Sequence, residues 1–139
     1  DFSKLHPRGS LGRNLNTTVR DIAALNKRPK VQATDLIKDV IYEISSNGLG
    51  ATAVLSPRDH SLLGIITDGD IRRMLEFDGY HTDKKAANMM TSSPKTIRQT
   101  ASAQEAHEAI TSLNINQLIV VDDHDKYVGM IHIHDLLSE

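Results

Sequence analysis

The sequence predicts a mixed α/β (α+β) fold: two β-α-β-β-α units packed as an intramolecular pseudo-twofold pair. Three observations lead there. Gly64-Ile65-Ile66-Thr67-Asp68-Gly69-Asp70-Ile71 returns 65 residues later as Gly129-Met130-Ile131-His132-Ile133-His134-Asp135-Leu136. An amphipathic helical stretch precedes each motif, and a short apolar run stands between helix and motif. Each copy, at about 60 residues, would bury too little surface alone, so the two are expected to share a core. The copies are expected over residues 19–80 and 81–139, with residues 1–18 as a disordered tail or linker.

The elements follow in order. Val19-Arg20-Asp21-Ile22 makes a short amphipathic turn before Pro29, as Ala86-Ala87-Asn88-Met89-Met90 does before Pro94. Brief extended segments come next, Lys30-Val31-Gln32 and Lys95-Thr96-Ile97. The first long helix is expected from Thr34, as N-cap, to Asn47, with Ile37, Val40, Ile41 and Ile44 on one face. Gly48 should end it in the left-handed conformation. The second helix begins at Ser102-Ala103-Gln104-Glu105, a capping box, and carries the stripe Ala106, Ala109, Ile110, Leu113. Buried strands are expected at 51–55 and 117–121, and each pairs back as a hairpin with 62–67 or 127–132. Short helices opened by Asp70 and Asp135 close the copies.

Composition narrows the function. A formal charge of −2, with Lys and Arg scattered among acids, lacks the concentrated basic face that nucleic acid requires. There is no cysteine, which excludes disulfides, thiolate nucleophiles and zinc–cysteine sites. No apolar stretch approaches the roughly 20 residues of a membrane span, and no secretory signal is visible, so the expected location is the cytoplasm. The chain opens on Asp1, which suggests a piece of something longer.

A strand end beside a helix N-terminus holds phosphate and ribose groups readily. Asp70 and Asp135 can each accept from a ribose diol; the plain alternative is that each caps its helix. Thr67 can donate to a phosphate, or be an ordinary strand-edge threonine. Arg72 and Arg73 can clamp an anion, although one of them can equally be a solvated helix residue. His132 stands where the first copy has threonine, so the two clefts should not bind alike. His134 and Thr52 complete the candidate ligand set. His132, His134 and Asp135 offer few donors for a metal, and none is expected. Gly48-Leu49-Gly50 is explained by helix termination and close packing rather than as a phosphate loop. No catalytic constellation is present.

The doubled Gly-x-x-Thr-x-x-Asp pattern in β-α-β-β-α units resembles a pair of CBS domains, the Bateman regulatory module, over roughly Val19 to Leu137. Thr67-Asp68-Gly69-Asp70-Ile71-Arg72-Arg73, the terminal His132-Ile133-His134-Asp135-Leu136-Leu137 and His6-Pro7-x-Gly9-x-Leu11-Gly12-Arg13 further resemble the C-terminal region of bacterial arabinose-5-phosphate isomerases. Arg8 departs from the usual His-Pro-Gly-Gly there. The resemblance implies a sugar isomerase domain in the same chain, to whose active site His6 would belong, and a role in making Kdo for lipopolysaccharide. It also implies a regulatory nucleotide (CMP-Kdo, CMP, AMP or ATP) and a homodimer through the CBS pairs, with tetramers of the whole enzyme. A mainly structural, oligomer-forming module with degenerate clefts is the alternative.

Overall fold

The computed structural model describes residues 17–136, which form two compact units. One is Pro29–Pro94. The other joins the chain before Pro29 to the chain from Lys95 onward, so the two units interleave along the sequence.

Pro29–Pro94 holds a four-stranded sheet. Strand β1 (Lys30–Gln32) runs parallel to β2 (Ala51–Leu55), which pairs antiparallel with β3 (Leu62–Thr67). The two-residue β4 (Thr91–Ser92) lies antiparallel on β3 and completes the order β1-β2-β3-β4. The parallel β1–β2 crossover is the helix Ile37–Asn47, with Val40 and Ile44 buried against Val31, Val54 and Ile66. Gly48 ends that helix at φ 77°, the left-handed terminus expected.

Its start is a correction. Thr34 is not the N-cap; the helix begins at Ile37 after Leu36, which makes no side-chain cap. The backbone before it is held otherwise. Asp35 accepts from the Gln32 N–H at 2.8 Å, and Ile37 N–H donates to the Lys84 carbonyl at 2.9 Å. Leu36 bridges Lys85, so a segment some fifty residues downstream takes the first backbone donor of the helix.

The second unit repeats the plan. Strand β5 (Thr96–Arg98) is parallel to β6 (Gln117–Val121), and β7 (Tyr127–His132) returns antiparallel to β6. The crossover helix Ala103–Leu113 starts with the capping box foreseen: Ser102 Oγ accepts from Glu105 N–H at 3.0 Å and Glu105 returns the bond at 2.9 Å. Both hairpins shift register after their fourth pair, at Val54/Leu55 and Val120/Val121. Each hairpin turn also carries one left-handed residue, His60 at φ 63° and Asp125 at φ 61°. The closing helices differ: the first copy has Asp68–Phe77, the second a 3-10 turn, Ile133–Asp135.

The short helix Val19–Ala23 belongs to this second unit. Val19, Ile22 and Ala23 are buried with Ala106, Ile110, Leu118, Val120 and Ile131. Thr18 caps it by a reciprocal box with Asp21, and Thr17 is buried and accepts from Ala103 N–H. Those two residues, the last of the segment read as a disordered linker, are thus part of the fold. The remainder of that segment, His6 included, lies outside the described residues.

The repeated glycine has a packing cause. A Cβ on Gly64 would stand 2.6 Å from the Thr91 carbonyl oxygen and 2.8 Å from Met90 Sδ. On Gly129 it would meet the Ala23 methyl group at 3.0 Å. A backbone strand cannot yield as a methyl group can. Gly64→Ala is therefore expected to lower stability by about 1–3 kcal/mol, and Gly129→Ala by less, read as urea midpoints at an unchanged m value.

Candidate functional site

In each copy the hairpin register fixes where the strand ends and the acidic turn begins. Ala51 pairs with Thr67, and Asp68 N–H donates to the Gly50 carbonyl at 2.9 Å. Gln117 pairs with His132, and Ile133 N–H donates to the Asn116 carbonyl at 2.8 Å. The chain leaves both strands at the same point, which sets the side chains that follow.

The first copy brings Thr67, Asp70 and Arg73 together. Thr67 is the N-cap of the helix Asp68–Phe77: its Oγ1 accepts from Asp70 N–H at 3.2 Å. Asp70 Oδ2 accepts from Thr67 N–H at 2.9 Å, which closes the capping box. The other carboxylate oxygen takes Arg73 Nη2 at 2.7 Å. Gly69 makes room for that guanidinium, since a Cβ there would lie 3.1 Å from Arg73 Nη1. The Arg73 side chain is 61% exposed, so in water the pair is worth little and exchanges easily. Arg72 points elsewhere. It is exposed and lines a groove of about 430 Å³ between the two helices of this unit, beside Ile41, Ile44, Ile71 and Leu75.

The second copy brings His132, His134 and Asp135 together. His132 replaces threonine and still caps: its Nδ1 accepts from His134 N–H at 3.1 Å, which puts the ring proton on Nε2. The two imidazoles tilt against each other with centroids 4.5 Å apart. Asp135 Oδ2 accepts from His132 N–H at 2.7 Å. Unlike Asp70, Asp135 is fully buried, and the same oxygen also accepts from Asn26 Nδ2 at 2.8 Å. His134 is exposed at the surface of the turn.

Thr52 is buried in β2 opposite Ile66, and its hydroxyl donates to the Ala53 carbonyl at 3.0 Å. Where the closing helix ends, Gly79 adopts φ 83°, and the Lys84 ammonium bonded to Asp78 holds that carboxyl below its ordinary value, with His81 adding to the effect. In the second hairpin turn, the Lys126 and His124 N–H groups do the same for Asp122. Among the described residues no three His, Asp or Glu side chains gather as a metal would require.

Sequence reasoning missed Asn26. It lies just beyond a short helix and gives no local sign of reaching Asp135, 109 residues away. Both acids were legible as caps or ligand groups, and both complete capping boxes.

Comparison with known proteins agrees with this geometry. Residues 19–76 and 86–139 match the CBS domain. Over its full length the chain is similar to the arabinose 5-phosphate isomerase KdsD of Francisella tularensis (39% identical, 99% of this chain, 42% of the relative). It is also similar to KpsF, the arabinose 5-phosphate isomerase of Escherichia coli O6:H1 (38% identical, 97% of this chain, 41% of the relative). The chain thus spans about two fifths of the length of these relatives. Among solved structures it resembles the CBS domain protein PAE2072 of Pyrobaculum aerophilum, complexed with AMP, at a TM-score of 0.77 and 24% identity, over 88% of this chain and 92% of that one.

The caps define an expected outcome. Thr67→Ala removes an acceptor at a helix N-terminus and should cost about 1 kcal/mol, with Thr67→Ser close to wild type. His132→Ala should cost a similar amount while His132→Thr, which restores the hydroxyl of the first copy, recovers most of it. Thermal unfolding of the four variants checks both pairs.

Proposed function

Because the chain belongs to the CBS domain family, in which it carries the domain twice, we propose that it is the nucleotide-sensing regulatory pair of an arabinose 5-phosphate isomerase. The observation that carries this reading is the first strand–turn–acid element. There a half-buried carboxylate, a threonine hydroxyl and the Arg73 guanidinium meet at one helix N-terminus. Asp70 is the acceptor for ribose hydroxyls, reached by displacing the exposed Arg73, which is then free for phosphate. The Thr67 proton is available to a phosphate oxygen even while Thr67 accepts from Asp70 N–H. Arg72, exposed in the neighbouring groove, and Thr52, whose buried hydroxyl would have to turn from the Ala53 carbonyl, are the remaining members of the proposed contact set. In the second copy His132 and His134 take the acidic part of the ligand or a second, weaker one, while the buried Asp135 holds the turn that presents them.

Two ligand classes fit: an adenosine phosphate, as in the AMP complex of PAE2072, or CMP-Kdo, the activated end product of the pathway such isomerases feed. Regulation follows if the ligand prefers one arrangement of the pair over others, since only differential affinity shifts a population. The partner is then a sugar isomerase domain in the same chain. We assign no catalytic step to the residues present. No helix among the described residues is long and apolar enough to cross a membrane, and the proposed place of action is the cytoplasm, for lipopolysaccharide precursor synthesis.

A second reading, an oligomer-forming module, has its own support. Tyr42, Leu75, Phe77 and Tyr80 of the Pro29–Pro94 unit are 72, 45, 84 and 50% exposed. Exposed aromatic residues around an apolar groove suit an interface. Arg72 beside Asp68 and Glu76 gives the self-complementary charge that a twofold contact requires.

Two experiments separate the readings. Thermal-shift titration with AMP, ATP, CMP and CMP-Kdo should raise Tm by several degrees for the true ligand, because a hundredfold excess over Kd adds about 2.7 kcal/mol. Asp70→Ala should abolish the shift, and no shift with any of the four removes the sensing claim. Light scattering should give a dimer that Phe77→Asp dissociates; a dimer unchanged by nucleotide, with no thermal shift, favours the structural module.

A further inference from the structure

The two acids of the repeat are held in different ways, and the difference involves the start of the chain. Asp70 is bonded within its own helix turn, to Thr67 N–H and Arg73. Asp135 is buried and gathers two donors on one oxygen, His132 N–H from its own turn and Asn26 Nδ2 from the chain's leading segment. The same Asn26 amide also donates to the Met130 carbonyl at 3.1 Å. Asn26 therefore fastens to strand β7 and to the acidic turn at once.

The helix before it follows the same strand. Val19, Ile22 and Ala23 are buried in one cluster with Ile131 and Leu136, and Ala23 packs on Gly129. In the first copy the corresponding strand face is covered differently: Thr91 and Ser92 pair with Ile65 and Gly64 through backbone alone. Among the described residues, the side-chain donor bonded to Asp70 is Arg73 of the same helix turn.

We infer that Asn26 is a latch through which the His132–Asp135 turn controls the position of the leading helix, Val19–Ala23. Three bonds meet in that turn: His134 N–H to His132 Nδ1, His132 N–H to Asp135, and Asn26 to Asp135. A group that draws on either imidazole rearranges the cap, and the cap shares its carboxylate oxygen with the latch. Hydrogen bonds to a charged, buried acceptor are among the stronger ones, and removing one partner exposes the other to a desolvation cost. The second copy is then the transmitting element, from the His132–Asp135 turn to the helix Val19–Ala23. The regulatory use of the latch rests on the ligand-sensing reading; the mechanical link does not.

Amide hydrogen exchange on the 139-residue chain tests the link. Asn26→Ala should speed exchange about tenfold both in Arg20–Asn26 and in His132–Leu136, with the amides of Pro29–Pro94 unchanged. Asp135→Asn should produce the same paired pattern, and Asn26→Ser, a shorter donor, a smaller one. If the leading helix loosens while His132–Leu136 stays as in wild type, or if every amide speeds up equally, the latch is refuted. A second arm adds AMP or CMP at millimolar concentration. Protection of the turn should spread to Arg20–Asn26 in the wild type and stop at the turn in Asn26→Ala. If neither nucleotide protects any amide, the ligand reading fails, and the ligand-free comparison still decides the latch.

Discussion

In both copies the last residue of a hairpin strand donates its backbone N–H to a carboxylate three residues on, and accepts in return through its own side chain. That reciprocal cap is what the candidate site depends on. It turns the chain sharply at a point already set by the hairpin, where Asp68 and Ile133 donate to Gly50 and Asn116. Had the strand run one residue further, every side chain in the turn would have changed face. The cap also consumes polar capacity. Each acid has one oxygen engaged by the backbone before any ligand arrives, so recognition has to use what is left.

What is left differs between the copies. Asp70 sits in a half-open turn whose remaining oxygen is covered by a largely exposed, solvated guanidinium. Such a cover is cheap to exchange, which suits a group that meets ligand. Asp135 lies in the dry interior, its carboxylate shared between a backbone amide and the Asn26 side chain. A group bound in that way is expensive to disturb and well suited to hold structure together. The replacement of threonine by His132 keeps the cap while presenting a ring nitrogen in place of a hydroxyl. One ancestral pattern thus serves two mechanical ends by changing the neighbours of a single carboxylate.

Much of this was legible in the sequence, because the signals were local. Gly48 as a left-handed terminus, Ser102 with Glu105 as a box, and all four hairpin strands follow from residue type and period alone. The start of the first helix was not, since Ile37 N–H finds the Lys84 carbonyl, and a backbone-to-backbone bond leaves no mark on side-chain choice. The helix Val19–Ala23 opens the first matched copy in sequence, while its apolar face is buried in the unit that contains the second. At the site, the acids, Thr67 and the histidines lie together in the two turns. Their partners were not legible, because Asn26 is one ordinary residue with a distant address.

That interleaving bears on how such a pair could act on a neighbour. The Pro29–Pro94 unit is inserted between two pieces of the other, so the chain passes between units twice, once at Arg28–Pro29 and once at Pro94–Lys95. Proline at each passage fixes φ and removes a donor, although the Pro29 carbonyl still accepts from the Ala53 N–H of β2. Along the sequence, the segment ahead of Pro29 packs on the strand and acidic turn of the second copy. A ligand held by Asp70 would act in the Pro29–Pro94 unit. One that touched His132 or His134 would act within the same hydrogen-bonded turn that grips Asn26. The unequal acids and the placement of the leading helix are thus two aspects of one arrangement, in which the copy with the buried acid is the one tied to Asn26 and the helix Val19–Ala23.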